Sequence, residues 1–224
     1  ISPNQSKAKN MSIVFASYGF CYALGSLFGG GLSYTTTSFF TPYALPFFCA
    51  ACISLANLTF VTVYFKETFL LKSTRSFRKP TLALKDVIAQ LRQAHNIKLI
   101  IVIFLSFFGW NFFMKVMQVF LNDQYNFLAK ENAYILAYFG LCTIVTQAFL
   151  IPYLSSRFNS SQFIKGSTLT LGLSLIAMPF TFSLPAFYIA FTFAAISYGF
   201  ILPNVTAVLS NLNSSDAQGK VMGI

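Results

Sequence analysis

Asn111, Lys115 and Gln118 fall at i, i+4 and i+7 of a segment made mainly of Phe, Leu, Ile, Val and Met, so on a helix they share one face. An ammonium flanked by two amides on an apolar helix can hold an anionic or hydrogen-bonding solute in a wet path, or pair with a buried carboxylate from another helix. A lone ammonium in hydrocarbon costs about 2.5–3.5 kcal/mol on insertion scales, which argues against a lipid-facing position for this face. Lys115 also lies about six residues from the end of its segment, roughly 9 Å along a helix, so the second reading is a lysine that snorkels to the outer surface. Gln147 and Asn204 are single amides in two further apolar segments, suited to a solute path or to hydrogen bonding between helices.

Other chemistry is poorly supplied. The acids are Glu67, Asp86, Asp123, Glu131 and Asp216, all outside the long apolar runs, so no carboxylate pair or nucleophile triad can be assembled in a pocket. No Walker sequence is present for nucleotide-driven work. Cys49 and Cys52 form a C-x-x-C pair, but without histidines or further thiols nearby they read as small packing residues, and neither metal nor cofactor is expected. These features argue for a protein that is not an enzyme.

The elements that must position these residues follow from composition. The chain of 224 residues is 56% hydrophobic and 18% aromatic, with only 9% charged, and its mean hydropathy is +0.66. A soluble domain needs far more charge to cover its surface. Residues 10–65, 132–156 and 166–215 carry no charged side chain at all, and such runs exceed the roughly 20 residues that cross a bilayer. The expected fold is therefore all-α and integral to the membrane. Six spans are predicted, over Ser12–Tyr34, Ala44–Phe65, Leu99–Leu121, Ala133–Leu154, Phe163–Phe182 and Ala186–Leu209.

The net charge of +10 is a property of the connections. Lys7, Lys9, Lys66, Lys72, Arg75, Arg78, Lys79, Lys85, Arg92, Lys98, Arg157, Lys165 and Lys220 all fall on one side of the predicted topology, leaving Lys130 on the other and Lys115 within a span. The positive-inside rule places the richer side in the cytoplasm, so the first span runs outward and both ends of the chain are cytoplasmic. A nucleic-acid partner is not expected, because the charges do not form a basic face on a soluble domain. Within the connection 66–98, Leu84, Val87, Ile88 and Leu91 follow helical spacing after Thr81. That pattern predicts either a short amphipathic helix against lipid head groups or a solvated linker helix.

Two further patterns concern packing. Ser17, Cys21, Gly25, Gly29 and Ser33 recur every fourth residue and predict a ridge that lets a second helix approach closely, with Gly30 beside it. In the last span Pro203 removes a donor, frees the carbonyl of Gly199 and predicts a kink that suits either a gate or static structure. A faint repeat aligns residues 1–13 with 212–224, keeping Lys9/Lys220, Met11/Met222 and Ile13/Ile224, as parallel repeats of helical units do.

In order, Gly25-Ser-Leu-Phe-Gly29-Gly30, Lys66-Glu67-Thr68, Gln147 with Pro152-Tyr-Leu-Ser-Ser-Arg157-Phe158, Pro203-Asn204 and Gln218-Gly219-Lys220 resemble the major facilitator superfamily, in particular its twelve-helix drug and proton antiporters of the tetracycline-efflux type. Three departures stand out: Ser26 occupies the place of the fifth-helix motif's proline, Ser12 and Cys21 those of its earlier glycines, and Ser156 that of the acidic residue usual in the cytoplasmic loop motif.

The resemblance implies a helical bundle of which this chain supplies six of twelve helices, an internal piece covering helices five to ten. Residues 1–65 would be the last two helices of the N-terminal bundle, 66–98 the central cytoplasmic loop, and 99–224 the first four helices of the C-terminal bundle. It implies a secondary transporter that exports small amphiphilic compounds or drugs by alternating access, with protons as coupling ion and membrane lipid around a monomer. The bacterial inner membrane is the expected location. In that register Asn111, Lys115, Gln118, Gln147 and Asn204 line the substrate pathway, Gly199 and Pro203 form a gating kink, and Arg157 belongs to the loop motif. The alternatives are a carrier that takes up or exchanges a small, possibly anionic metabolite, motivated by Lys115, and a truncated product that does not transport.

Overall fold

The computed structural model describes residues 4–33, 44–65, 94–155, 157 and 159–212. Within them lie α1 (Asn4–Leu32), α2 (Ala44–Tyr64), α3 (Ala94–Tyr125), α4 (Ala129–Ile144), α5 (Ile151–Leu154), α6 (Ser160–Ala177) and α7 (Leu184–Leu212). A π-helical turn, Val145–Leu150, joins α4 to α5, so that the two continue as one span. Six helices are long and apolar enough to cross a membrane, over Asn10–Leu32, Ala44–Tyr64, Ile100–Tyr125, Ala129–Leu154, Ser160–Phe180 and Leu184–Val208. All-helical spans are the expected answer for an apolar chain, because lipid offers no partner for an unpaired backbone group.

The connection between the third and fourth spans is shorter than the expected 122–132. Asn126 adopts a left-handed conformation with φ 54° and ends α3, a role asparagine tolerates better than most residues. Its N–H donates to Asn122 O (2.9 Å), the Phe127 N–H donates to Leu121 O (3.3 Å), and the Asn122 side-chain amide donates to Phe127 O (2.9 Å). At the start of α4 the Glu131 carboxylate accepts from the Leu128 N–H (2.9 Å), the side-chain half of a capping box that also places negative charge at a helix N-terminus. These caps let both helices extend into what composition alone assigns to a loop.

The π turn has a cause in the sequence. Pro152 has no N–H, and its ring would press on the carbonyl four residues earlier in a regular helix. In the structure the Ile151 N–H reaches Thr146 O, a five-residue step that widens the turn just before the proline. Likewise α6 tightens into a 3₁₀ turn at Met178–Phe180, which contains Pro179, and α7 begins with Pro185 in its first turn.

Two helix pairings dominate, α1 with α4 and α6 with α7, and α7 also touches α1, α3 and α4. The core is aromatic. Trp110 of α3 stacks on Tyr198 of α7 with ring centroids 4.5 Å apart and packs on Phe139 of α4 at 4.9 Å. Phe139 in turn meets Tyr22 of α1 edge-on at 5.2 Å. Such contacts matter because lipid is as apolar as these side chains, which leaves packing and interhelical hydrogen bonds to hold the helices together. The aromatics at the centre fill space: Trp110, Phe139 and Phe191 are all buried, while Phe104, Phe108 and Phe112 line an uncovered side of α3. No residue of α2 is buried among the described residues.

The amphipathic pattern at 81–92 and the second copy of the terminal repeat from residue 213 onward lie outside the described residues.

Candidate functional site

A cavity of about 670 Å³ opens where one end of α1 meets the end of α3 and the start of α4. Its volume lies within the range typical of small-molecule pockets, about 300–1,000 Å³. Ser26, Gly29, Gly30 and Ser33 come from α1 and the residue after it, Gln118, Val119 and Asn122 from α3, and Asn132, Ala133 and Leu136 from α4, with Phe127, Leu128 and Ala129 at its rim. The lining is thus uncharged, with amides and hydroxyls set against apolar walls. Gly29 and Gly30 leave part of the α1 wall, between Ser26 and Ser33, without side chains.

Part of its hydrogen-bonding capacity is already used. The Asn122 amide N–H donates to Phe127 O and the Ser33 hydroxyl to Gly30 O (2.7 Å). Asn132 Oδ1 is buried and has no partner. The exposed amides on the lining, Gln118 and Asn122, offer their oxygens as acceptors, matched to a solute that carries N–H or O–H donors on an apolar body.

Of the residues singled out by spacing, Gln118 lines this cavity. Asn111 and Lys115 are exposed on the same side of α3, with the Asn111 amide turned back to donate to Phe107 O (2.8 Å). Gln147 and Asn204 lie elsewhere. Gln147 sits in the π turn, 3% exposed, and donates from Nε2 to Gly199 O of α7 (3.4 Å). Asn204 is buried and donates to Phe200 O of its own helix (2.8 Å). The five residues do not converge on one pocket. Arg157 follows α5, exposed, with its guanidinium over the Tyr153 ring at 5.3 Å.

The close helix approach also lies on a different face from the expected ridge. Ser17, Cys21 and Gly25 are exposed, and a Cβ built on Gly25 or Gly29 would meet nothing within 4 Å. The face of α1 against α4 instead runs through Gly19, Ala23 and Gly30, all buried. Gly30, beside the expected ridge, meets α4 directly at Ala133. The legible signal was the spacing of three and four, Ser12–Ala16–Gly19–Ala23–Ser26–Gly30, which keeps to one face of a slightly supercoiled pair, whereas a strict four-residue repeat drifts around the helix. Asn122 and Asn132 were hidden for another reason: both fall where composition suggests a loop, and only the caps bring them onto helices.

Among the described residues no group of three or more His, Cys, Asp or Glu is placed to hold a metal ion. Cys49 and Cys52 are free thiols on α2.

Comparison with known proteins agrees with this architecture. The family model described as Major Facilitator Superfamily matches residues 1–224. Solute carrier family 22 member 18 from Rattus norvegicus is 25% identical over 174 residues, which cover 74% of this chain. The chain spans 42% of that relative's length. No solved structure matches. With six apolar membrane-length helices and a family match along its whole length, the chain belongs to the Major Facilitator Superfamily of membrane transporters.

Proposed function

We propose that the chain works within a proton-coupled secondary transporter that exports small amphiphilic compounds by alternating access, and that it supplies helices five to ten of twelve. The observation that carries this reading is the cavity between α1, α3 and α4, whose uncharged amides and hydroxyls face apolar walls. A solute with a flat apolar body and a few donors finds partners there; a strongly charged one does not. In the proposed register α1 and α2 close the N-terminal bundle and α3 to α7 open the C-terminal one. The α1–α4 contact is then the surface on which the two bundles move. Both ends of the chain face the cytoplasm in this arrangement, consistent with the basic connections, and a bacterial inner membrane is the proposed setting.

The relative's name describes a solute carrier, which is compatible with transport and favours no direction. The test is accumulation of a fluorescent amphiphile in energised inverted vesicles carrying the protein as encoded by its native gene. Uptake that an uncoupler abolishes supports the proposal. Exchange that continues in the presence of the uncoupler overturns it and favours a second reading, a carrier for a small anionic metabolite. That second reading has its own observation, the exposed Lys115 on the same side of α3 as Gln118.

A further inference from the structure

Two broken helices lie side by side at the centre of this bundle. In α7, Pro203 has no N–H, so the carbonyl of Gly199 loses its partner within the helix. In the neighbouring span the π turn at Val145–Leu150 pushes Thr146 and Gln147 outward, and both are buried against α7. Gly199 has no side chain to separate them: a Cβ there would lie 3.1 Å from Thr146 Cγ2. The Gln147 amide therefore reaches the backbone of α7 and donates to the carbonyl that Pro203 left unpaired, at 3.4 Å. Thr146 cannot substitute, because its hydroxyl donates to Cys142 O of its own span (2.8 Å).

We propose that Gln147 is a positioning residue, a latch that replaces the missing Pro203–Gly199 hydrogen bond and holds α7 against the π turn in one of the two access states. Two features suit it to release as well as to hold. Its one bond to α7 is long, and Gln147 Oε1 is buried with no partner of its own, so the amide is only half satisfied where it sits and loses little by turning to another partner. A π turn and a proline break are also the places where a helix bends most easily. When the latch opens, α7 is free to flex at Gly199, and the orphaned carbonyl passes to water or to a solute. The transport role of this movement rests on the proposed function; the contact itself does not.

The test is a double-substitution cycle in the protein as encoded by its native gene, made in a variant whose only cysteine is Cys142. Gln147→Met keeps the length of the side chain and removes the donor. Pro203→Ala restores the backbone N–H, which can close on Gly199 O and make Gln147 redundant. The first readout is the alkylation rate of Cys142, a buried thiol one turn before the π segment. Gln147→Met is expected to speed it about tenfold with Pro203 present and less than twofold in the Pro203→Ala background. The second is transport, where Gln147→Met is expected to change the maximal rate with little change in KM. Equal effects of Gln147→Met in both backgrounds overturn the latch, as does no effect in either. If the alkylation cycle is non-additive while no amphiphile moves in the unsubstituted protein, the latch stands and the proposed transport reading fails.

Discussion

Gly19 of α1 and Gly140 of α4 meet backbone to backbone: a Cβ added to Gly140 would lie 2.6 Å from Gly19 O and 2.8 Å from Ala23 Cα. Neither backbone can yield cheaply, since both belong to long helices held by neighbours on other faces. Gly140→Ala is therefore expected to cost about 1–3 kcal/mol, the usual range for forcing extra volume into a packed contact. Gly25→Ala serves as the comparison, because a Cβ there meets nothing within 4 Å. Melting temperature in detergent reads the difference: a clear drop for Gly140→Ala and none for Gly25→Ala. An equal drop for Gly25→Ala would mean that a further helix covers that face.

The contrast shows what a sequence of this kind discloses. Span number and placement follow from apolar runs and charge, and the six helices fall within a few residues of the expected limits. Which face of a span meets which neighbour does not follow, because an apolar helix in lipid has no polar side to betray its orientation. Small residues occur on several faces of α1, and the structure uses Gly19 and Ala23 where a strict four-residue repeat points to Cys21 and Gly25. The link between Gln147 and Gly199 was half legible. Pro203 announces an orphaned carbonyl at Gly199, while the side chain that answers it lies on another helix, 52 residues away in sequence.

Lys115 provides the second prediction. It stands exposed on the same side of α3 as Gln118, which lines the cavity. Lys115→Ala is expected to cut transport about tenfold, equivalent to about 1.4 kcal/mol, while leaving insertion and expression as they are. Unchanged transport assigns Lys115 to snorkelling and removes it from the solute path.

Asn132 separates a binding role from a structural one. Its Oδ1 is buried in the cavity region without a partner, and a buried acceptor left unmade is a cost to the folded state. Asn132→Leu should therefore leave the melting temperature unchanged or raise it. The same substitution is expected to raise KM about tenfold with the maximal rate preserved, the signature of lost uniform binding. A falling melting temperature with unaltered KM would place Asn132 in the scaffold instead.

The hydroxyls of Tyr138 and Thr192, 2.7 Å apart, tie α4 to α7, and the direction of that bond can be worked out. Thr192 already donates its single proton to Tyr188 O (2.6 Å), so Tyr138 donates and Thr192 accepts. The two deletions are therefore unequal. Tyr138→Phe keeps the edge-on ring contact with Tyr188, at 5.3 Å, and leaves only a lone pair on Thr192 without its donor. Thr192→Val leaves the half-buried O–H of Tyr138 only the weakly accepting sulfur of Cys142, the costlier of the two outcomes. Stability in detergent should fall more for Thr192→Val than for Tyr138→Phe. The coupling from the double substitution should be near 0.6 kcal/mol and not above about 1.7 kcal/mol, as for other hydrogen bonds between membrane helices. A larger loss for Tyr138→Phe would reverse the assignment of donor and acceptor.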